Sequence, residues 1–382
     1  MRSKSPRALV IGTVLREGLD IESIHALFSG EGYGPPPLTN DEIAGIQSEP
    51  HGVAPPHVGG GYPQWLEWQL SRALGADLLE EMVALQERAS IDLRVSTLKA
   101  NRDDILKRLR ADGYDAEPTR YSPFGIRIPA GASGLEKTQL FRSGAFELQD
   151  EASQIAALLV DARSGMRVLD LAAGGGGKSL AMAATMHNEG EIVATDIDSG
   201  RLRQLGTRAE RAGVTIIRTP SPPREGRGGV RGASTAAEFP LPLTLSPNEG
   251  EGTELFDRVL VDAPCSGTGT WRRQPELRWR LTPDRLESLE KTQSWLLEDG
   301  ARHTKPGGRL AYATCSLLPS ENEEQIEAFI ERHPEFTIVP PRAVWPGAIG
   351  TDPPPGLSDF FKASPRKTGT DGFFTAILAR RA

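Results

Sequence analysis

The chain holds two cysteines in 382 residues, and each follows an apolar run of strand character. Val259-Leu260-Val261-Asp262-Ala263-Pro264 leads into Cys265, and Leu310-Ala311-Tyr312-Ala313-Thr314 into Cys315. A thiolate is a nucleophile able to form a covalent intermediate. Open α/β sheets bind ligands beyond the carboxyl ends of their strands, so both thiols are expected to line one crevice. The plain alternative is that each is a small buried hydrophobe. Two of two at strand ends, each beside a polar motif, favours chemistry. No histidine lies near either cysteine in sequence, so no metal site is expected. Cys265 is followed by the donor-rich loop Ser266-Gly267-Thr268-Gly269-Thr270. After Cys315, Ser320 and Glu323 read as a capping box, so a helix start is expected close enough to favour the thiolate. Trp271-Arg272-Arg273 and Arg278-Trp279-Arg280 are of the types that stack on single-stranded bases and hold phosphates. Their alternative reading is a solvated charged face.

A second constellation is the turn Asp170-Leu171-Ala172-Ala173-Gly174-Gly175-Gly176-Gly177-Lys178-Ser179. Glycines between a strand and a helix let a ligand approach the backbone and aim amides at it. A P-loop would need glycine where Ala172 stands, although Gly177-Lys178-Ser179 fits. A dinucleotide fingerprint would need glycine at 174, 176 and 179, and 179 is Ser. The third class is S-adenosylmethionine, with Asp170 near the first strand's end and Asp196 closing the second. An acid at that second position commonly takes ribose hydroxyls.

These groups must be carried by a scaffold. Strand and helix alternate from Asp150 on: strands at 168–171, 192–195, 214–217, 256–261, 309–314 and 373–378, and helices at 178–186, 201–212, 283–303 and 322–332. Apolar strands bounded by helices predict a parallel α/β sheet covered on both faces. Before it, residues 61–148 read β-α-β-β-α-β, a small split βαβ sheet, with Asn101 as a helix N-cap. Leucines 66, 70, 74 and 78 sit at helical spacing with Trp65. Residues 1–60 read as a short helical segment, with a helix from Ala8 to Glu17, and a Pro/Gly-rich link. Pro220–Gly252 holds six Pro and six Gly. It is read as a disordered insertion between two strands.

Composition narrows the classes. No apolar run is long enough for a membrane span. Two cysteines exclude a disulfide scaffold and suit a reducing cytosol. A net charge of -7 argues against tight non-specific duplex binding, though not against a local basic groove. Met1–Arg7 and Ala8–Leu15 mimic a short signal peptide, but Arg16, Glu17 and Asp20 follow at once, so a cytoplasmic protein is expected.

Asp262-Ala263-Pro264-Cys265-Ser266-Gly267-Thr268-Gly269 and Thr314-Cys315-Ser316-Leu317, with Pro319, Glu321, Asn322 and Glu323, resemble two motifs of the RsmB/Sun family of RNA cytosine-C5 methyltransferases. The turn Ala172–Lys178, Gln149-Asp150-Glu151-Ala152-Ser153 and Asp371-Gly372-Phe373-Phe374 are similar to further family motifs, all in order. The resemblance covers roughly 62–382 apart from the insertion and is nearest to the bacterial 16S ribosomal RNA enzymes. It implies a Rossmann-like methyltransferase sheet preceded by an RRM-like RNA-binding subdomain. It also implies action on RNA, ribosomal or transfer, forming 5-methylcytidine from S-adenosylmethionine; a monomer that meets no membrane is expected. Cys315 would be the attacking thiol, Cys265 the helper in product release, and Asp262 the residue that hydrogen-bonds the cytosine ring. Ala172, Ala173, Gly174, Gly175, Gly176, Gly177, Lys178 and Asp196 would hold the cofactor, with Asp262 beside it. Gly175 stands where the family commonly has Pro, Thr219-Pro220 where it carries an acid after the third strand, and Ser96 where Asn is frequent. Two rival readings remain: a nucleotide hydrolase with Asp262 as its magnesium acid, and a non-catalytic RNA-binding assembly factor.

Overall fold

The computed structural model describes residues 6–32, 34–47, 55–220 and 254–382. The expectation for Pro220–Gly252 falls, beyond Pro220, outside the described residues. The chain forms two compact units, Met1–Pro55 and Pro56–Ala382.

The first unit carries helices α1 (Pro6–Arg16), α2 (Ile21–Leu27) and α3 (Asn40–Gln47). Ile11, Ile24, Phe28 and Leu38 make its small core. Asp20 caps α2 by accepting from the Ser23 amide, and Arg7 pairs with Glu42 at 2.7 Å.

The second unit opens with α4 (Pro56–Gly59), α5 (Glu67–Leu74) and α6 (Leu78–Ala84). The leucine periodicity holds, since Leu66, Leu70, Leu74 and Leu78 are all buried, but Gly75 at φ +57° ends α5 and splits the run. These leucines pack on Trp271, Leu281, Leu286 and Leu318. Next come β1 (Ile91–Val95), α7 (Arg102–Ala111), β2 (Glu117–Pro118), β3 (Gly125–Ile128), α8 (Gln139–Arg142) and β4 (Phe146–Leu148). They form a four-stranded antiparallel sheet in the order β2-β3-β1-β4, which is the split βαβ arrangement. Asn101 caps α7 through the Asp104 amide, as its position predicts.

The larger sheet is built from α9 (Glu151–Leu159), β5 (Arg167–Asp170), α10 (Gly177–Thr185), β6 (Glu191–Ala194), α11 (Ser199–Ala212), β7 (Ile217–Arg218), β8 (Phe256–Asp262), α12 (Leu277–Arg280) and α13 (Pro283–His303). It continues through β9 (Thr304–Thr314), α14 (Glu323–Arg332), β10 (Phe336–Ile338), α15 (Pro341–Ala348), β11 (Phe361–Ala363), α16 (Pro365–Thr368) and β12 (Phe373–Arg380). The strand order is β10-β12-β9-β8-β5-β6-β7, with β11 also paired to β12. Strands β5 to β9 are parallel. The last strand departs from the parallel expectation, because β12 runs antiparallel to β9, β10 and β11. Too few residues join β11 to β12 for the crossover of about a dozen that parallel neighbours require. Ile155, Leu180 and Trp345 cover one face, and Leu297, Ile326 and Phe329 the other. Helix α9 escapes periodicity analysis because nearly all of its residues are buried.

The two sheets meet tightly. Gly144 sits at φ +77°, and a Cβ there would lie 2.0 Å from the Arg211 carbonyl oxygen in α11. Both the left-handed backbone and the contact exclude a side chain. Gly144→Ala is expected to cost at least about 2 kcal/mol. Urea denaturation would check this, and an unchanged midpoint would show that the interface has slack.

Candidate functional site

Strand β5 lies between β6 and β8, the point where the strand order turns in both directions, so its carboxyl end opens a crevice. Register fixes what reaches that edge. Asp170 pairs with Leu260 of β8 and Ala194 of β6, and Asp262 pairs with Ala313 of β9.

The glycine turn crosses this edge. Gly174 and Gly176 have φ of +55° and +79°. A Cβ on Gly176 would strike Leu205 at 2.5 Å, whereas one on Gly174 would meet nothing within 4 Å, so the turn is packed on one side and open on the other. The Ala173 amide donates to Thr195 O at 2.9 Å, which ties the turn to the end of β6. Ala172 precedes it, half-buried. Asp196 accepts from the Gly174 amide at 2.8 Å and from the Asp198 amide at 2.8 Å. Arg208 donates to the Gly175 carbonyl and, through Nε at 3.0 Å, to Glu147 of β4. Gly177 opens α10. Next to it Lys178 donates to Asp262 Oδ2 at 2.6 Å and lies 5.0 Å from the centre of the Phe373 ring. Asp170 accepts from the Ser179 hydroxyl at 2.6 Å, and its Oδ1 is buried with no partner among the described residues. Burial pushes the Asp170 carboxyl up to about 7.

The turn can therefore hold S-adenosylmethionine. The open face at Gly174 admits a ligand against the backbone, and the unpartnered Asp170 oxygen suits a cationic group. Asp196 uses one lone pair on each oxygen for an amide and keeps others for hydroxyls.

The two thiols meet as the sequence predicts, with Sγ atoms 3.4 Å apart. The loops that carry them share Glu321, which lies in a single 3-10 turn, Pro319–Glu321, and has no exposed surface. Its Oε1 accepts from the Ser266 amide at 2.8 Å and Gln293 Nε2 at 3.0 Å. Its Oε2 accepts from the Ser266 and Ser316 hydroxyls. Thr268 links the same loops by accepting from the Leu317 amide at 2.8 Å, and the Gly269 amide donates to Cys315 O at 2.9 Å. The hydrogen bond with Cys315, then burial, pushes the Cys265 thiol well above its ordinary range. The capping box does not form: Asn322 is the N-cap of α14 and makes no side-chain bond to it, while Ser320 accepts from Gln69 Nε2 at 2.9 Å. The helix therefore begins well past Cys315.

The first basic-aromatic cluster is structural. Trp271 is buried, and Arg272 and Arg273 both donate to Asp371, with Arg273 also reaching Asp150 at 3.0 Å. Arg278 donates to the carbonyls of Gly61 and Leu85. Trp279, 61% exposed, and Arg280 remain on the surface, and Arg273 is exposed despite its ion pairs. Sequence reasoning had no partner for these arginines, because their acids lie about a hundred residues away. Asp150, pushed up to about 6 by burial and by Asp371, also caps α9. Gly269 and Gly372 bring two motif loops together: a Cβ on Gly269 would lie 2.2 Å from Gly372 O.

Asp170 gives a pH test. Its carboxyl is raised in the fold, so it adds stability at low pH that is lost as pH rises from the ordinary value of 3.8 through about 7. Asp170→Asn mimics the protonated form. Its melting temperature is expected to gain on the wild type between about pH 4 and about pH 7. A constant difference across that range would show that the carboxyl titrates normally.

Comparison with known proteins agrees with this geometry. Residues 157–379 match the model of the family described as 16S rRNA methyltransferase RsmB/F, and residues 62–133 match its ferredoxin-like domain. The "Probable ribosomal RNA small subunit methyltransferase B" of Bacillus subtilis is 30% identical over 84% of this chain and 66% of its own length. The "Ribosomal RNA small subunit methyltransferase B" of Serratia proteamaculans gives the same 30%, 84% and 66%. The chain thus spans just under two thirds of the length of these relatives. The crystal structure of a methyltransferase homologue from Pyrococcus horikoshii superposes with a TM-score of 0.67 at 26% identity, covering 86% of this chain and 100% of that one. With the family match spanning more than half of its length, the chain belongs to the RsmB/F family of methyltransferases, which use S-adenosylmethionine.

Proposed function

We propose that this protein transfers a methyl group from S-adenosylmethionine to carbon 5 of cytidine in RNA, with ribosomal RNA as the substrate and transfer RNA as the second candidate. The observation that carries this is the pair of sulfurs 3.4 Å apart, beside the Asp262–Lys178 pair, over the strand edge that holds the glycine turn. When bound, S-adenosylmethionine supplies an electrophilic methyl group. Ala172 to Lys178 and Asp196 hold it.

Carbon 5 of cytosine is a poor nucleophile. Cys315 adds to carbon 6, which places electron density on carbon 5 and lets it take the methyl group. Asp262 hydrogen-bonds the ring and, with its Oδ2 fixed by Lys178, stabilises the protonated adduct. A base, water or a solvent-borne buffer anion in the crevice, then takes the carbon 5 proton, its electrons re-form the 5,6 double bond, and Cys315 leaves carbon 6 as the thiolate. Cys265, kept as a thiol by its surroundings, assists that release. A nucleotide hydrolase fits less well. Lys178 is engaged by Asp262, and Ala172 leaves the turn one glycine short of a P-loop. An assembly factor without activity would have no use for two aligned thiols.

Cys315→Ala is expected to abolish methylation and leave no RNA adduct, whereas Cys265→Ala is expected to trap enzyme covalently on RNA. A denaturing gel with labelled RNA and cofactor separates the two. A band in Cys315→Ala alone would reverse the roles, and methylation intact in Cys315→Ala would end the covalent reading.

Asp196→Ala is expected to weaken cofactor binding by about 1.5–3 kcal/mol, roughly tenfold to a hundredfold. Calorimetry giving unchanged affinity would remove Asp196 from the site.

A further inference from the structure

The carboxylate of Glu321 is the most completely enclosed charge beside the thiols, and it does not face the crevice. It has no exposed surface, and its four donors are Gln293 Nε2, the Ser266 amide and the hydroxyls of Ser266 and Ser316. All four lone-pair directions of a carboxylate are thus used. The donors are distributed in a particular way. Ser266 follows Cys265 and Ser316 follows Cys315, so one oxygen, Oε2, accepts from both loops at once. The two hydroxyls stand 3.2 Å from each other. Gln293 extends the clamp to the Pro264 carbonyl at 2.9 Å, on the other flank of Cys265.

We propose that Glu321 is a positioning residue for the thiol pair: its carboxylate clamps the Cys265 and Cys315 loops at one spacing, and its charge disfavours a second negative charge on Cys265, which leaves Cys315 as the attacking sulfur. The assignment of attack to Cys315 rests on the cytosine reading above; the clamp does not. The groups facing Cys265 are Tyr312 of β9, Cys315 just after that strand, Glu321 from the turn before α14, and the Gly267 amide. The neighbouring acid Asp262 is already paired with Lys178. Two like charges this close in a buried setting repel strongly, so an anionic Cys265 is the unfavourable state. Both thiols are half-buried, but the carboxylate takes the Ser266 amide as well as its hydroxyl and only the hydroxyl of Ser316, so it is tied more closely to the Cys265 loop.

The test needs neither RNA nor cofactor, so its failure is separate from failure of the methyl-transfer reading. In a Cys315→Ser chain, Cys265 is the one remaining thiol. The pH midpoint of its alkylation by iodoacetamide is expected to fall by about one unit on Glu321→Gln, which keeps the shape and removes the charge. An unmoved midpoint in a folded variant, checked by circular dichroism, overturns the charge role. The clamp is read in chains with both thiols by crosslinking with diamide, a diazene that takes up two electrons and two protons as the disulfide forms. Ser316→Ala, which removes a donor from one loop only, is expected to slow crosslinking about tenfold. An unchanged rate overturns the clamp, and this variant carries the test if Glu321→Gln does not fold.

Discussion

Parallel register decides which side chains meet at the edge of this sheet. Asp262 of β8 is level with Ala313 of β9, and Asp170 of β5 with Leu260 of β8. A slip of one residue in any of these strands would turn its side chains to the other face. Asp262 would then lose Lys178, and Cys315 would leave Cys265. The register is held by apolar packing on both faces, by Val259, Leu310 and Tyr312 toward α13 and α14 and by Leu260, Ala311 and Ala313 toward α9 and α10. The chemistry at the edge is thus a consequence of which aliphatic side chains fit where in the core.

Above that core the site is assembled from buried charges, each with several partners. Asp371 takes two arginines, Asp150 takes Arg273 and an amide, and Glu151 accepts from the Tyr121 and Ser122 amides. Buried charges are costly unless satisfied in this way, and breaking one pair leaves the other member stranded. Such groups contribute more to a single geometry than to net stability. That explains why two of the five motifs, those at 149–153 and 371–374, supply loop anchors where the thiol and glycine motifs supply reacting groups.

Much of this was legible in the sequence because local signals carried it. Alternating strands and helices announced the large sheet, Asn101 its cap, and the two Cys motifs their common crevice. What stayed hidden depended on long-range pairing. Arg272 read as a surface residue because its partner Asp371 lies far along the chain, and the same distance hid the ion pairs of the exposed Arg273. The box of Ser320 and Glu323 fitted a local rule that lost to the contact of Ser320 with Gln69. The direction of β12 is not encoded in its apolar run, and α9 is too evenly buried to show a stripe. Glu321 was visible as a motif letter without a task. The serine after each cysteine was the available signal, since two hydroxyls in matching places call for one shared acceptor.

The bridge formed by Arg208 has a consequence for how such proteins diversify. Its guanidinium joins Glu147 of the small sheet to the Gly175 carbonyl of the cofactor turn, and Gly144 presses against Arg211 one turn further along the same helix. The small sheet is therefore not an exchangeable module. A chimera that imported this sheet from a relative would have to import its matching α11 surface as well, or the turn would lose a strut that lies outside the catalytic domain's own sequence. Recombination between family members should then favour breakpoints before β1 or after α11, and seldom the short linker between the sheets.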